Sequence, residues 1–152
     1  MPTKHRRNIH RIDSAASHPL FSKQEWCLLQ LAEGHGVPVS AVAGAVGQPV
    51  RSVRRRIAKL RRRMADPVFL ALGRYWRAFS PEERRLLYLH VALGLSQRKI
   101  ADQRLLVVRH RDGLVRPAGR KQIRLILRAI EWKVRRDLPD VTLRGRPPGR
   151  GR

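Results

Sequence analysis

A basic segment between residues 51 and 63 constrains the fold of this chain more than any other feature. Arginine and lysine occupy eight of its positions, and no aspartate or glutamate accompanies them. Its apolar residues recur at intervals of three and four, which is the period of one helix face. They are Val50, Val53, Ile57, Leu60 and Met64. We therefore predict a helix over 49–64 that buries a narrow apolar stripe and exposes a face made almost entirely of arginine.

The charge of the whole chain agrees with that segment. Lysine and arginine number 34 against 11 aspartate and glutamate residues, which leaves a net charge of +23 over 152 residues. A surplus of that size favours a polyanionic partner, and nucleic acid is the commonest one. An anionic membrane is the competing polyanion, but no apolar stretch approaches the roughly 20 residues that a membrane span needs. A merely solvated charged face is disfavoured because no acidic residue interrupts the basic segment.

Residues that carry enzymatic or metal chemistry are sparse. The six histidines are scattered, with no cysteine partners and no pair at ligand spacing on a helix. The single cysteine, Cys27, fits a reducing cytoplasm and lies in an apolar stretch, where we expect a small buried hydrophobe. We therefore expect no catalytic residue, no metal and no cofactor, and a cytoplasmic, nucleoid-associated protein.

Start and stop signals divide the chain into five segments. They are a basic arm over 1–20, a first helix-turn-helix unit over 21–64, a linking helix over 65–78, a second unit over 79–138 and a basic tail over 139–152. Each unit opens with a capping box, Ser22 with Glu25 and Ser80 with Glu83. The plan therefore repeats, and the predicted fold class is mainly α, with two three-helix units joined by a linking helix.

The second unit departs from the first in its later part. Four apolar residues at 105–108 precede Asp112-Gly113, which is a strong hairpin turn signal, so we predict a small β-hairpin inserted before the last helix, over 120–137. That helix has an inward stripe, yet Leu125 and Trp132 lie near its opposite face. We expect it to be covered on two sides, by the first unit, by a second copy of the chain or by another protein. The tail from Pro139 onward is expected to contain no core residue.

The first unit meets the packing needs of a helix-turn-helix. Such a motif has a small residue in its second helix, a glycine in the turn and a branched apolar residue early in its third helix. Ala43, Gly47 and Val53 satisfy these needs. The supporting core is predicted to consist of Val42, Val46 and Ile57.

The exposed face of the third helix supplies the predicted DNA contacts. An arginine can bind guanine through two hydrogen bonds. When a helix lies in the major groove, the residues of its first turns reach the edges of the bases. We assign base contacts to Gln48, Arg51, Ser52 and Arg55, with Arg54 beside them, and phosphate contacts to Lys59, Arg62 and Arg63. In the second unit the corresponding DNA-binding candidates are Lys121, Gln122, Arg124 and Arg128.

Two stretches of the chain carry a family resemblance. The first is VGQPVRSVRRRI at 46–57, which is followed by RRRM at 61–64. The second is FSPEERRLLYL at 79–89, continued by GLSQRKIA at 94–101. Both resemble region 4 of bacterial sigma factors, and the two predicted units that contain these stretches cover well over half of the chain. It implies recognition of a −35-like promoter element and contact with RNA polymerase. The second unit lacks the expected turn glycine after Ala101 and carries the hairpin insert.

The tail contains the four-residue core of an AT-hook, Arg144-Gly145-Arg146-Pro147. In an AT-hook, glycine lets the backbone approach the floor of the minor groove and the arginines reach along it. We therefore count Arg144 and Arg146 among the DNA-binding candidates. Similar tails also bind DNA nonspecifically or bind RNA.

The function that these features predict is sequence-specific binding of double-stranded DNA by a transcription regulator of bacterial or phage origin. Two alternatives stay open at the level of sequence. One is a DNA-packaging or architectural protein, such as a small terminase subunit, and the other is an RNA-binding protein, which the arginine-rich helix also permits.

Overall fold

The computed structural model describes residues 18–144, and it is 62% helical. Among these residues are seven α-helices and one two-stranded antiparallel sheet. The helices are α1 (Lys23–Leu29), α2 (Val39–Ala45), α3 (Val50–Ala65), α4 (Pro67–Arg74), α5 (Pro81–Leu87), α6 (Gln97–Asp102) and α7 (Arg120–Val134). The strands are β1 (Val107–Arg109) and β2 (Val115–Pro117). The prediction of a mainly α fold with an inserted hairpin is confirmed.

The chain divides into two compact units, and the division falls inside α3, between Arg61 and Arg62. The first unit therefore contains α1, α2 and most of α3. The second contains the end of α3 and everything that follows, including the segment predicted as a linking helix, which forms α4 and a 3₁₀ turn at Trp76–Ala78. The predicted arm falls mainly outside the described residues.

The first unit is built from signals that are visible in its sequence. The Ser22 Oγ accepts from the backbone N–H of Glu25 at 3.1 Å, and the Glu25 carboxylate accepts from the Ser22 N–H at 3.0 Å, so the capping box is complete. After α1 the chain widens into a π-helical turn, Gln30–Gly34, before α2. Its core consists of Leu20, Phe21, Leu28, Leu29, Val42, Ala43, Val53, Ile57 and Leu60.

The second unit repeats these local features. Ser80 and Glu83 form the equivalent capping box, with distances of 2.7 and 3.2 Å, and a π-helical turn, Tyr88–Ala92, follows α5. β1 and β2 pair with Val108 opposite Arg116, and the turn between them contains Gly113 at φ 79°. The core of this unit includes Phe69, Leu72, Phe79, Leu86, Leu87, Ile100, Leu106, Ile123, Leu127, Ile130 and Val134.

The correspondence between the units extends to single hydrogen bonds. In the first unit the N–H of Val37 donates to the carbonyl of Leu31, and in the second the N–H of Leu95 donates to that of Leu89. Both bonds are 3.0 Å long, and each encloses a glycine with positive φ, 61° at Gly36 and 67° at Gly94. The chain therefore leaves the π-helical turn in the same way in both units.

Several sequence expectations about the core are wrong. Val46 and Val50 are exposed, because Val46 follows the end of α2 and Val50 is the first residue of α3, where neither meets the apolar seam. Cys27 is also exposed, and it lines a cavity beside Val46 and Gln48. The tail does contain a core residue, since Leu143 is completely buried. α7 ends at Val134, slightly before the predicted boundary.

None of the helices between residues 18 and 144 combines the length and the apolar character that crossing a bilayer requires.

Candidate nucleic-acid interface

The candidate interface begins with the turn that joins α2 to α3. Gly47 has φ 63°, and the N–H of Gln48 donates to the carbonyl of Ala43 at 3.0 Å across it. This is the hydrogen bond of a Schellman ending, which closes α2 and redirects the chain into α3. Ala43 is buried, as a helix-turn-helix crossing requires.

A continuous apolar seam holds α3 in the first unit. Val53, Ile57 and Leu60 are at most 2% exposed, and their spacing places them on one side of the helix. Side chains packed in this way occupy single rotamers, so the opposite side of α3 is presented in a fixed orientation. The prediction of an amphipathic helix is confirmed.

The opposite side of α3 in the first unit, together with the turn before it, forms a surface that we call the arginine face. It consists of Gln48, Arg51, Ser52, Arg54, Arg55 and Lys59, all of which are exposed. Six of the eight predicted first-unit candidates are thus brought together. Among the described residues no carboxylate pairs with Arg51, Arg54 or Arg55, so the charge of these three guanidinium groups is not neutralised within the protein. The face is therefore a concentrated cationic surface on a rigid helix.

Two neighbouring contacts shape the edges of the arginine face. The Arg56 guanidinium donates to the Gln48 side-chain oxygen at 3.1 Å, which holds the Gln48 amide and leaves its NH₂ group as a donor. The Arg61 guanidinium pairs with the Glu33 carboxylate of the π-helical turn. Arg61 is thus committed to an ion pair, whereas Gln48 keeps donors available.

The last two candidates on α3 belong to the second unit and differ from each other. Arg62 is exposed, as predicted. Arg63 is 1% exposed; its guanidinium donates to the carbonyl of Ala92 at 2.9 Å and lies 6.0 Å from the centroid of the Phe69 ring. The prediction of a phosphate contact for Arg63 is therefore wrong, because this side chain is part of the interior of the second unit.

The second-unit candidates lie on α7 on the side away from its core. Lys121, Arg124 and Arg128 are exposed and Gln122 is half-buried. They share this side with Leu125 and Trp132, which are also exposed. α7 therefore presents a mixed basic and apolar surface, and not a second arginine face.

Sequence reasoning missed basic residues near the hairpin. Arg104, Arg109 and Arg111 are exposed, and a cavity of about 500 Å³ is lined by Arg109, His110, Arg111, Asp112 and Gln122. The relevant signal was the repeated arginine on both sides of the Asp112-Gly113 turn. Gln122 is thereby placed beside hairpin arginines, which adds cationic surface next to the α7 candidates.

The C-terminal candidates are only partly described. The Arg144 guanidinium lies 3.3 Å from the buried Glu131 carboxylate, and the Arg144 carbonyl accepts from the Gln97 side chain at 2.6 Å. Arg146 and the rest of the AT-hook core lie outside the described residues. The structure thus anchors the start of the predicted tail on the second unit.

No family model, no curated protein and no solved structure matches this chain. Among residues 18–144, no group of three or more histidine, cysteine, aspartate or glutamate side chains is placed to hold a metal ion.

Proposed function

We propose that this protein is a sequence-specific double-stranded DNA-binding transcription regulator that uses the arginine face of α3. The single observation that carries the proposal is the placement of exposed Arg51, Arg54 and Arg55 on one side of a helix whose other side is buried. A rigid helix with this surface fits the major groove of B-form DNA, which is about 12 Å wide.

The position of each residue along α3 supports a division of labour. Arg51 and Arg55 lie in the first two turns, where side chains of a recognition helix reach base edges, and Ser52 and Gln48 lie beside them. Lys59 and Arg62 lie further along the helix, where the phosphate backbone rises on either side of the groove. We therefore assign base contacts to the first group and phosphate contacts to the second.

The remaining basic elements support binding in a less specific way. Lys121 on α7 and the hairpin arginines add positive surface in the second unit. Arg144 and Arg146 are proposed to contact the minor groove or its phosphates. The resemblance to sigma region 4 supports action at promoters, with RNA polymerase as a further partner. We propose that the protein, of bacterial or phage origin, acts at the nucleoid in the bacterial cytoplasm.

The experiment that tests the proposal is selection of binding sites from a pool of random duplexes by the full chain. We expect an enriched sequence motif, and we expect Arg55→Ala to weaken binding to that motif by about 1–3 kcal/mol more than binding to random duplex. A parallel pool of RNA stem-loops serves as the comparison.

Three outcomes would count against the proposal. Selection of no motif favours an architectural or DNA-packaging role, and preference for the RNA pool favours an RNA-binding protein. Equal losses on the motif and on random duplex after Arg55→Ala remove Arg55 from base recognition.

A further inference from the structure

The two units differ most on the exposed side of their third helices. The carbonyl of Gly119 accepts the first helical hydrogen bond of α7, from the N–H of Ile123. The carbonyl of Pro49 does the same at the start of α3, from the N–H of Val53. This correspondence places Leu125 where α3 has Arg55 and Trp132 where α3 has Arg62. Leu125 is 53% exposed and Trp132 is 71% exposed. At two positions where α3 exposes arginine, α7 exposes large apolar side chains.

These apolar residues form a continuous stripe beside a groove. Leu125, Ala129 and Trp132 follow the spacing i, i+4, i+7, so they lie in a line on α7. Leu125 and Ala129 also line a cavity of about 400 Å³, together with Val108 of β1, Ile126 and residues at the start of α5. This stripe and groove, which we call the α7 face, have the form that receives an amphipathic helix.

Arginines flank the exposed stripe of the α7 face, whereas its groove is also lined by Glu82 and by Glu83, whose carboxylate pairs with Lys133 at 2.6 Å. Arg124 and Arg128 are exposed on the same helix, and the Arg135 guanidinium lies 5.9 Å from the centroid of the Trp132 ring. We propose that the α7 face docks an acidic amphipathic helix of another protein, whose apolar side covers Leu125 and Trp132 and whose carboxylates pair with these arginines. Tryptophan and arginine are the residues that most often anchor such interfaces.

Charge also argues against the other occupants. A second copy of the chain would bring Arg124 and Arg128 against the same residues of its partner, within a protein that already carries +23. Duplex phosphates would satisfy the arginines but would leave Leu125 and Trp132 without an apolar partner. An acidic helix matches both features of the face.

The test uses three synthetic helical peptides of about five turns, roughly 18 residues each. The first has leucines on one face flanked by glutamates, the second has the same composition in scrambled order, and the third has lysines in place of the glutamates. Each is titrated at physiological ionic strength into the full wild-type chain and into the double variant Leu125→Ala/Trp132→Ala. Both substitutions are at exposed positions, so the variant is expected to keep the wild-type circular dichroism spectrum.

We expect the acidic amphipathic peptide to bind wild type at least about tenfold more tightly than the scrambled peptide, and to lose that advantage on the double variant. The DNA affinity of the double variant should stay unchanged, and the variant Arg51→Ala/Arg55→Ala should bind the peptide normally. This separates the proposal from the DNA-binding role of α3.

Four results would overturn it. Equal binding of the acidic and scrambled peptides would show simple charge attraction, and equal binding of the lysine peptide would remove the acidic partner. A wild-type dimer in sedimentation that dissociates in the double variant would assign the face to a second copy. A loss of DNA affinity in the double variant would assign it to nucleic acid.

Discussion

At the scale of single residues, the two units differ in the residue that occupies the turn after their second helix. Gly47 has φ 63° in the first unit, and Arg104 has φ 53° in the second. The N–H of Leu105 donates to the carbonyl of Ile100 at 3.0 Å and encloses Arg104. In the first unit the N–H of Gln48 donates to the carbonyl of Ala43 and encloses Gly47 in the same way. α6 thus ends in the same way as α2, but with Arg104 in the place of the glycine. A left-handed backbone conformation is unfavourable for a residue that has a side chain.

This comparison predicts opposite effects of two substitutions on the free energy of unfolding. Gly47→Ala should lower it by about 1 kcal/mol, because the left-handed conformation costs about 1–2 kcal/mol for a residue with a Cβ. Arg104→Gly should raise it by about 0.5 kcal/mol, because the relieved strain exceeds the added entropy of the unfolded chain, about 0.4–1 kcal/mol. Urea denaturation measures both.

A matched control for Gly47→Ala is Gly44→Ala, which lies inside α2. An added Cβ meets no atom within 4 Å at either position, so steric overlap does not distinguish them. Gly44→Ala should stabilise, because alanine favours helix by up to about 1 kcal/mol over glycine. Destabilisation of the same size by both substitutions would contradict the conformational explanation.

At the scale of elements, the segment after α7 is an integral part of the second unit. The N–H of Leu143 donates to the Glu131 carboxylate at 2.6 Å, and the Leu143 carbonyl lies 3.0 Å from Nε2 of His90. The Nδ1 of His90 lies 2.8 Å from the carbonyl of Leu95. Because carbonyl oxygens only accept, the ring tautomer of His90 decides which of these two contacts is a hydrogen bond. The Leu143 backbone thereby contacts two buried polar side chains, while its own side chain fills space in the core.

We expect Leu143→Ala to destabilise the protein by about 2–5 kcal/mol, as truncation of a buried leucine does. Thr142→Ala, at the exposed neighbouring position, should change stability by less than about 0.5 kcal/mol. Thermal denaturation followed by circular dichroism compares the two variants. Equal, small effects would show that the segment does not contribute to the core.

Local signals account for the elements that the sequence predicted. The capping boxes at Ser22 and Ser80 and the turn at Asp112-Gly113 act within a few residues, so they are visible in the order of amino acids. The seam of α3 was visible for the same reason, since helical periodicity is local. These features were sufficient to predict the fold class and most of the arginine face.

Tertiary contacts account for the buried residues that the sequence did not predict. Arg63 is charged and lies among exposed arginines in sequence, yet it is buried, because it contacts the carbonyl of Ala92, 29 residues along the chain, and the ring of Phe69 in α4. The burial of Leu143 likewise depends on His90 and Glu131. No pattern within a helical period carries this information, so the sequence pattern did not predict either residue's role.

At the scale of the whole molecule, net charge governs how binding responds to salt. A chain of +23 that neutralises several phosphates releases the same number of condensed counterions. We expect duplex affinity to fall by roughly three orders of magnitude between about 50 and 200 mM salt, as for about six phosphate contacts. Fluorescence anisotropy at several salt concentrations gives the slope, and a nearly flat dependence would contradict a phosphate-rich interface.

The central claim is that the arginine face, and not the charge of the chain alone, binds the duplex. The most direct test compares the duplex affinity of Arg51→Ala/Arg55→Ala with that of Arg77→Ala/Arg136→Ala, a variant that removes two exposed arginines from other surfaces. We predict that the first variant loses at least about tenfold more affinity than the second, since each base-contacting arginine contributes about 1–3 kcal/mol. Equal losses in the two variants would contradict the account.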